Sequence, residues 1–349
     1  MGTGPKIGVS MAEHVMDLLV EGLQNSAREL YPERGELRNV RIVGHTPKND
    51  HYIYDLVIDF ADGSDRLAAK LYRLGRSGPQ AACELARKES DNLRRVYGVF
   101  QNKHLKGVPR PIGDFSELGA VVTEKLTGLP LQSIIMKAAL LPGYANCGTL
   151  QAASRKTGEW LRNFHRATSD VPRRFDSEGL LQELEKLCDC CRGEGLDDRA
   201  IRTILSGARA IVSRNRKNLP ISVVLNNFTP LNVIVGEQGI GICDYAHMQP
   251  RGISFHDVAQ FLACVEALEK YPFCDRVITG QVQDEFVAAY GATASEQALL
   301  QVLKMRVLLG MLARGRNVKE SAVRKKVMWA TVMKRFIQQA AQRSLAPAA

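Results

Sequence analysis

The sequence predicts an α+β protein in which a small β-rich part precedes a larger, mainly helical part. Residues 39–73 contain three runs rich in β-branched and aromatic residues, and Asp62-Gly63 between the second and third runs signals a tight hairpin turn. From about Leu131 onward, apolar residues recur mostly at helical spacing. One further stretch of strands, at residues 223–243, interrupts this helical pattern.

The composition is that of a globular protein with a basic C-terminal segment. The chain has 349 residues, of which 45% are hydrophobic and 24% charged, and its length suits two domains or one bilobal domain. Residues 301–349 contain eleven Lys or Arg and one acid, so they carry the whole net charge of +10. A solvated helix face or an anionic partner, such as a membrane surface or a polyanion, would explain this segment.

The lack of recognisable targeting signals and the scattered cysteines favour a cytoplasmic protein. No apolar run reaches the length of a membrane span, and the N-terminus lacks the pattern of a secretory signal. The eight cysteines are scattered except for Cys188, Cys190 and Cys191, which have no paired Cys-x-x-Cys and no nearby histidine. We expect reduced thiols rather than a metal site, and a location at the membrane periphery only if the basic segment binds there.

The order of elements divides the chain into four predicted parts. An N-terminal helix extension covers 1–35, a β-rich part covers 36–126, a helical part covers 127–300 and the basic helical segment covers 301–349. In the β-rich part we expect three antiparallel strands, a helix over 79–98 and two more strands. Three further helices are predicted in the helical part, over 149–168, 177–194 and 198–217.

Two places in this order carry candidate chemistry. The stretch from Val223 to Met248 reads VVLNNFTPLNVIVGEQGIGICDYAHM, and its Asn232 and Asp244 are oxygen donors of the kind that hold Mg²⁺ together with phosphates. A hairpin with ordinary Asn-rich turns is the alternative interpretation. Lys70, in the middle of a strand, is either an outward-facing solubilising residue or a cation that holds an anion.

Several short motifs in a fixed order resemble the aminoglycoside phosphotransferase and choline-kinase-like family, a branch of the protein-kinase-like fold. The resemblance spans about residues 40–290 and rests on these motifs in sequence: the lysine strand, the helix with Glu89, VPRP, TEKLTGLPL, LRNFHRAT, NFTPLNVIV, ICDYA and HDVAQFL. It implies a bilobal fold, with a small antiparallel-sheet N-lobe, a larger mainly helical C-lobe and a nucleotide cleft between them.

The resemblance also implies roles in the β-rich part. Lys70 would hold the α- and β-phosphates of ATP, and Glu89 would orient Lys70. The residues of the hinge beside the adenine would be Glu124, Lys125 and Leu126. Phosphoryl transfer depends mainly on positioning the phosphates and neutralising their charge, which such a set supplies together with Mg²⁺.

In the helical part, the resemblance assigns Asn232 and Asp244 to Mg²⁺ and Asp257 to the support of the catalytic loop. The family's catalytic loop normally reads His-Gly-Asp-Phe, whereas this chain has Leu225, Asn226, Asn227 and Phe228. Asn227 therefore stands where the catalytic base is expected, and a carboxamide cannot accept a proton at ordinary pH.

Three functions follow as expectations. The first is a pseudokinase-like protein that binds Mg-ATP but transfers phosphate to a small-molecule hydroxyl poorly or not at all. The second is an active ATP-dependent phosphotransferase with an unconventional loop, because the loose transition state lets deprotonation of the nucleophile occur late. The third is a scaffold that docks on an anionic membrane or polyanion by its basic C-terminal helices.

Overall fold

A computed structural model describes residues 7–48, 50–73, 78–141, 147–214, 218–271, 273–315 and 323–345. The chain forms two compact units, the first comprising Met1–Thr127 with Gly241–His247 and the second comprising Gly128–Ile240 with Met248–Ala349.

The first unit is built on a four-stranded antiparallel sheet with the order β1-β2-β3-β4. Its elements are α1 (Ile7–Asn25), α2 (Ala27–Leu30), β1 (Leu37–Pro47), β2 (His51–Phe60), β3 (Gly63–Tyr72), α3 (Gly78–Asn102) and β4 (Ala120–Glu124). Only one of the two strands expected after the helix is present among the described residues. Pro111 forms an isolated bridge with Thr123 instead, because the two prolines of VPRP lack the N–H groups that a strand ladder requires.

The two faces of this sheet have different environments. Alternate residues of β2 and β3, including Leu56, Ile58 and Leu67, form a buried core with Met16 and Leu19 of α1. The N-terminal helix thus covers one face of the sheet, which accounts for its apolar spacing. Because side chains alternate along a strand, the intervening residues of β3 point to the opposite face.

The second unit is mainly helical, with short strands between its helices. Its elements are β5 (Leu129–Pro130), α4 (Leu131–Leu140), α5 (Cys147–Ala167), β6 (Asp170–Arg174), α6 (Ser177–Gly193), α7 (Asp198–Arg214), β7 (Asn218–Val224), β8 (Val233–Gly236), β9 (Gly239–Ile242), β10 (Gln249–Ile253), α8 (Phe255–Glu266), α9 (Arg276–Tyr290), α10 (Ala294–Gly315) and α11 (Val323–Leu345). The chain returns to the first unit within β9.

The hairpin interpretation of the Asn-rich stretch is wrong. β7 pairs with β6 and β10, whereas β8 pairs with β5, so the two strands that flank the Asn-rich loop belong to different sheets. The backbone N–H groups of Leu225 and Asn226, just after β7, donate to the carboxylate of Asp257 rather than to a strand partner.

The basic C-terminal segment is packed into the second unit, at least in part. Lys304 is buried and lies 2.5 Å from Glu266, and Arg306 lies 3.0 Å from Glu183. Arg343 of α11 lies 3.1 Å from Glu269. The side chains of 315–331, which include the basic start of α11, lie outside the described residues. None of the described helices has the length and apolar character that crossing a bilayer requires.

Candidate functional site

Lys70 lies between two carboxylates in the first unit. Its Nζ atom is 3.0 Å from Oε2 of Glu89 and 3.0 Å from Oδ1 of Asp244. β3 places Lys70 on the face opposite the α1 core, α3 supplies Glu89, and the chain returning after β9 supplies Asp244. Asp244 has φ 74°, in the left-handed region, so its backbone conformation is a strained one that the surrounding contacts hold.

Glu89 organises this group of charges. Its side chain is buried, and it accepts hydrogen bonds from Oη of Tyr72 at 2.6 Å and from the backbone N–H of Tyr245 at 3.0 Å. Asn92, one turn further along α3, donates to the carbonyl of Tyr245 at 2.8 Å. α3 therefore fixes both Lys70 and the backbone that follows Asp244.

The charges of this group are stabilised by one another. Burial lowers the pKa of Lys70, but Glu89 and Asp244 raise it more, and the net result is a raised pKa. Burial likewise raises the pKa of Asp244, but Lys70 outweighs it and holds the pKa below its usual value. Burial, and then Glu89, raise the pKa of Tyr72. At neutral pH the site holds an ammonium, an ionised Asp244 and a neutral phenol.

The three predicted hinge residues have different surroundings. Glu124 ends β4 and is exposed. The backbone N–H of Lys125 donates to the backbone carbonyl of Arg66 at 2.9 Å. The Nζ atom of Lys125 lies 2.6 Å from Oδ2 of Asp55. The side chain of Leu126 lies against Gly241, where an added Cβ would come within 2.8 Å of it.

Asp257 holds the predicted catalytic loop within the second unit. Its fully buried carboxylate accepts backbone hydrogen bonds from Leu225 at 2.7 Å and from Asn226 at 2.8 Å. It also contacts Nε2 of His165 at 3.2 Å, and Nδ1 of His165 lies 3.0 Å from Oη of Tyr290. Because a carboxylate can only accept, the ring hydrogen belongs on Nε2 and Tyr290 donates to Nδ1.

Asn227 and Asn232 lie in the loop that Asp257 supports. The side chain of Asn232 donates to the backbone carbonyl of Asn227 at 3.0 Å, and its backbone N–H donates to Thr229 at 2.9 Å. Between them, Phe228 is buried and stacks near Phe286 of α9. The loop thus has a defined backbone around Asn227, the residue at which the resemblance implies a base.

The structure therefore brings the sequence-predicted residues together in two groups. In the first unit, Nζ of Lys70 contacts Glu89 and Asp244. In the second unit, one loop contains Asn227 and Asn232, and Asp257 binds the backbone of this loop. Sequence reasoning missed several partners of these groups: Tyr72, Asn92, Tyr245, His165 and Tyr290. A sequence signal exists for Tyr72, which is two residues from Lys70 and so shares its strand face. His165, at the end of α5, contacts Asp257, and no spacing in the sequence indicated this pair.

The three cysteines of the cluster differ in their exposure. Cys188 and Cys191 are buried, whereas Cys190 is exposed. Burial raises the pKa of Cys188 to about 11 and that of Cys191 to about 12, so both thiols are protonated at neutral pH. In the described part of the chain, no three or more His, Cys, Asp or Glu side chains are grouped as metal ligands.

Comparison with known proteins identifies the fold. No protein-family model matches the sequence, and no curated protein matches it either. Among solved structures, a putative aminoglycoside phosphotransferase from Ralstonia eutropha aligns over 94% of this chain and 99% of its own, with 12% identity and a TM-score of 0.56.

Two further solved structures have the same fold. An amicoumacin kinase in complex with AMP-PNP, Ca²⁺ and Ami aligns over 94% of this chain and 95% of its own, with 12% identity and a TM-score of 0.53. A choline kinase from Streptococcus pneumoniae aligns over 94% and 99%, with 13% identity and a TM-score of 0.51. The chain has the protein-kinase-like fold of aminoglycoside phosphotransferases and choline kinases, as the sequence motifs indicated. The neighbours with this fold are small-molecule phosphotransferases.

Proposed function

We propose that the chain binds a magnesium–nucleoside triphosphate, with its phosphates at Lys70. The observation that carries this proposal is the contact of the Lys70 ammonium with Glu89 and Asp244. The carboxylate of Glu89 is committed to Tyr72 and Tyr245, so it holds the ammonium in place on the face of β3 opposite the α1 core. A fixed cation beside a second carboxylate suits a phosphate that arrives with its own metal ion.

The face beside Lys70 suits the nucleoside. Along β3, Tyr72 closes one side of Lys70 because it reaches Glu89, whereas Ala68 on the other side is small and partly exposed. Within the described residues, the backbone N–H of Leu126 donates no hydrogen bond, so it can bind the edge of a base. We therefore place the base towards Ala68 and Leu126.

The donor set fits magnesium. Mg²⁺ takes one or two protein oxygen ligands and fills its shell with phosphate and water oxygens. Asp244 is kept ionised by Lys70 and offers such an oxygen in the first unit. The resemblance also implies that Asn232 of the second unit is a metal ligand, and the side-chain amide of Asn232 donates to the backbone carbonyl of Asn227. When bound, the ion would neutralise charge that develops on the transferred phosphoryl group.

We further propose that phosphoryl transfer to a small-molecule hydroxyl is impaired or lost. Asn227 occupies the position of the base, and general-base catalysis is worth roughly 10²–10⁴ in rate. The observation that favours the alternative, an active enzyme, is that Asp257 still holds the loop backbone at Leu225 and Asn226. A correctly held loop could position an acceptor whose proton leaves late.

A scaffold function of the basic segment has less support. Three of its basic side chains, Lys304, Arg306 and Arg343, pair with acids of the second unit and so are not available as a uniform cationic face. Docking on an anionic surface would depend on the start of α11.

Nucleotide binding is tested by thermal unfolding with Mg-AMP-PNP. Binding at 100 times the dissociation constant should stabilise the protein by about 2.7 kcal/mol. Lys70→Met should abolish the shift. Absence of any shift for the natural protein at millimolar nucleotide would refute the proposal.

The catalytic part is tested by Asn227→Asp, which restores a carboxylate on an unchanged loop. ATP turnover is measured for both proteins with a panel of small-molecule hydroxyl acceptors. Turnover by the Asp variant alone would support an impaired natural protein. Turnover by the natural protein that Lys70→Met abolishes would establish the active alternative instead.

A further inference from the structure

An ion pair crosses the face of the first unit's sheet that lies opposite the α1 core. Asp55 of β2 stands opposite Ala68 of β3, and Ala68 stands opposite Thr123 of β4. Residues directly opposite each other share a face, so Asp55 and Ala68 lie on the same face as Lys70. Lys125, two residues beyond Thr123, lies 2.6 Å from the carboxylate of Asp55.

The sheet order requires this pair to pass over β3. β3 lies between β2 and β4, and neighbouring strands are about 4.8 Å apart, so the backbones of Asp55 and Lys125 are separated by roughly two such spacings. The long side chain of Lys125 must therefore cross above β3 to meet Asp55. It crosses beside Ala68, at about 7 Å along the strand from Lys70.

The side chain of Lys125 thus crosses β3 at Ala68. Of the two residues that flank Lys70 on its face of β3, Ala68 is the small one and Tyr72 is the large one. Tyr72, on the other side, is buried and bonded to Glu89, so a nucleoside cannot extend in that direction. A base attached to phosphates at Lys70 has to extend towards Ala68, where the ion pair lies.

We propose that Asp55 and Lys125 form a strap over the base-binding face, and that nucleotide binding requires this strap to open; the proposal rests on the nucleotide site at Lys70 proposed above. The side chains of Asp55 and Lys125 are 33% and 25% exposed. Partly exposed ion pairs are weak, so the strap opens readily and lowers nucleotide affinity by about two- to fivefold. The strap acts by its side chains, whereas the hinge contact of a base would use the backbone after Glu124.

Lys125→Met is the decisive variant, because it breaks the strap and removes a positive charge. If the strap blocks the base, the affinity for Mg-AMP-PNP rises by about two- to fivefold. If Lys125 only attracts the anionic nucleotide, its loss weakens binding. Asp55→Asn should raise affinity as well, and the double variant should gain no more than the better single variant, since both remove one interaction.

Asp59→Asn is the matched control. Asp59 is on the same strand and the same face as Asp55, and it pairs with Arg41 at 2.8 Å, away from Ala68. Affinities are measured by titration calorimetry on the full chain, after thermal unfolding confirms that each variant is folded. Asp59→Asn reports how much the removal of one negative charge alone changes the affinity for Mg-AMP-PNP. Asp55→Asn should raise this affinity more than Asp59→Asn does.

The outcomes separate the strap from the nucleotide site. Binding by the natural protein with unchanged or weaker binding by Lys125→Met would overturn the strap and leave the proposed function intact. Binding by Lys125→Met that is tighter than binding by the natural protein would support both. Absence of binding in every variant would overturn the proposed nucleotide site and the strap together.

Discussion

Tyr72 donates a hydrogen bond of 2.6 Å to Glu89, and this contact completes the set of partners around the Glu89 carboxylate. Lys70 and the backbone of Tyr245 supply the others. A buried carboxylate with three donors has little freedom to turn, so the position of Lys70 depends on Tyr72 as well as on Glu89.

Tyr72→Phe should therefore destabilise the first unit. The variant removes a hydrogen bond to a charged, buried group, which costs about 1–3 kcal/mol of unfolding free energy. Urea denaturation measures this loss. Tyr52→Phe is the control, since the ring of Tyr52 lies against Arg73 and should keep that contact. Equal effects of the two variants would contradict the special role of the Tyr72 hydroxyl.

Lys70→Met should cost more, because it leaves two carboxylates beside each other without their cation. Removing one partner of a buried ion pair typically costs about 3–5 kcal/mol of unfolding free energy. Lys70→Met/Glu89→Gln should recover a substantial part of the lost unfolding free energy, since it also removes the buried charge. Nucleotide binding should be absent from both variants. If the double variant bound nucleotide, Lys70 would not be the phosphate ligand.

Helix packing in the second unit depends on Gly158. A methyl group at this position of α5 would overlap the backbone carbonyl oxygen of Phe286 in α9, whereas one at Gly280 of α9 would meet nothing within 4 Å. Gly158→Ala should destabilise the protein by about 1–3 kcal/mol. Gly280→Ala should stabilise it by up to about 1 kcal/mol, since alanine is the better helix former. Urea denaturation of both variants tests this difference in sign.

His256 should make stability depend on pH. Burial, and then Arg306, lower its pKa to about 4, although Asp257 and Glu183 act in the opposite direction. In the unfolded chain a histidine binds a proton near pH 6.5, so between about pH 6.5 and pH 4 the unfolded state holds more protons. The unfolding free energy should therefore fall as the pH drops across this window, by about 1–3 kcal/mol.

The matched measurement compares the natural protein with His256→Gln at pH 7 and pH 4.5. Other titrating groups contribute equally to both proteins, so the variant should lose less unfolding free energy on acidification. An identical loss in the two proteins would show that His256 is not responsible.

The sequence was informative where a pattern repeats along one element. The three runs rich in β-branched and aromatic residues within 39–73 correspond to β1, β2 and β3, and the predicted helix over 79–98 corresponds to α3. It failed at the Asn-rich loop, because the partner of Leu225 and Asn226 is a carboxylate about thirty residues later. Local turn chemistry alone favours a hairpin there.

The candidate site was predictable to a similar extent. The motif order identified the residues that meet at Lys70, although their roles towards a nucleotide remain predictions. The contacts of Tyr245 and His165 depend on how distant segments pack, and no spacing in the sequence encodes them. The Asp55–Lys125 pair likewise depends on the strand register, which places residues of β2 and β4 on one face.

Asp257 holds the loop through the backbone N–H groups of Leu225 and Asn226, which directly precede position 227. Asparagine and aspartate have the same shape and differ by an amide nitrogen in place of an oxygen. The chain can therefore exchange a carboxamide for a base without rebuilding the loop. If the chain binds a nucleotide as proposed, a single substitution at position 227 would supply the carboxylate that its loop lacks.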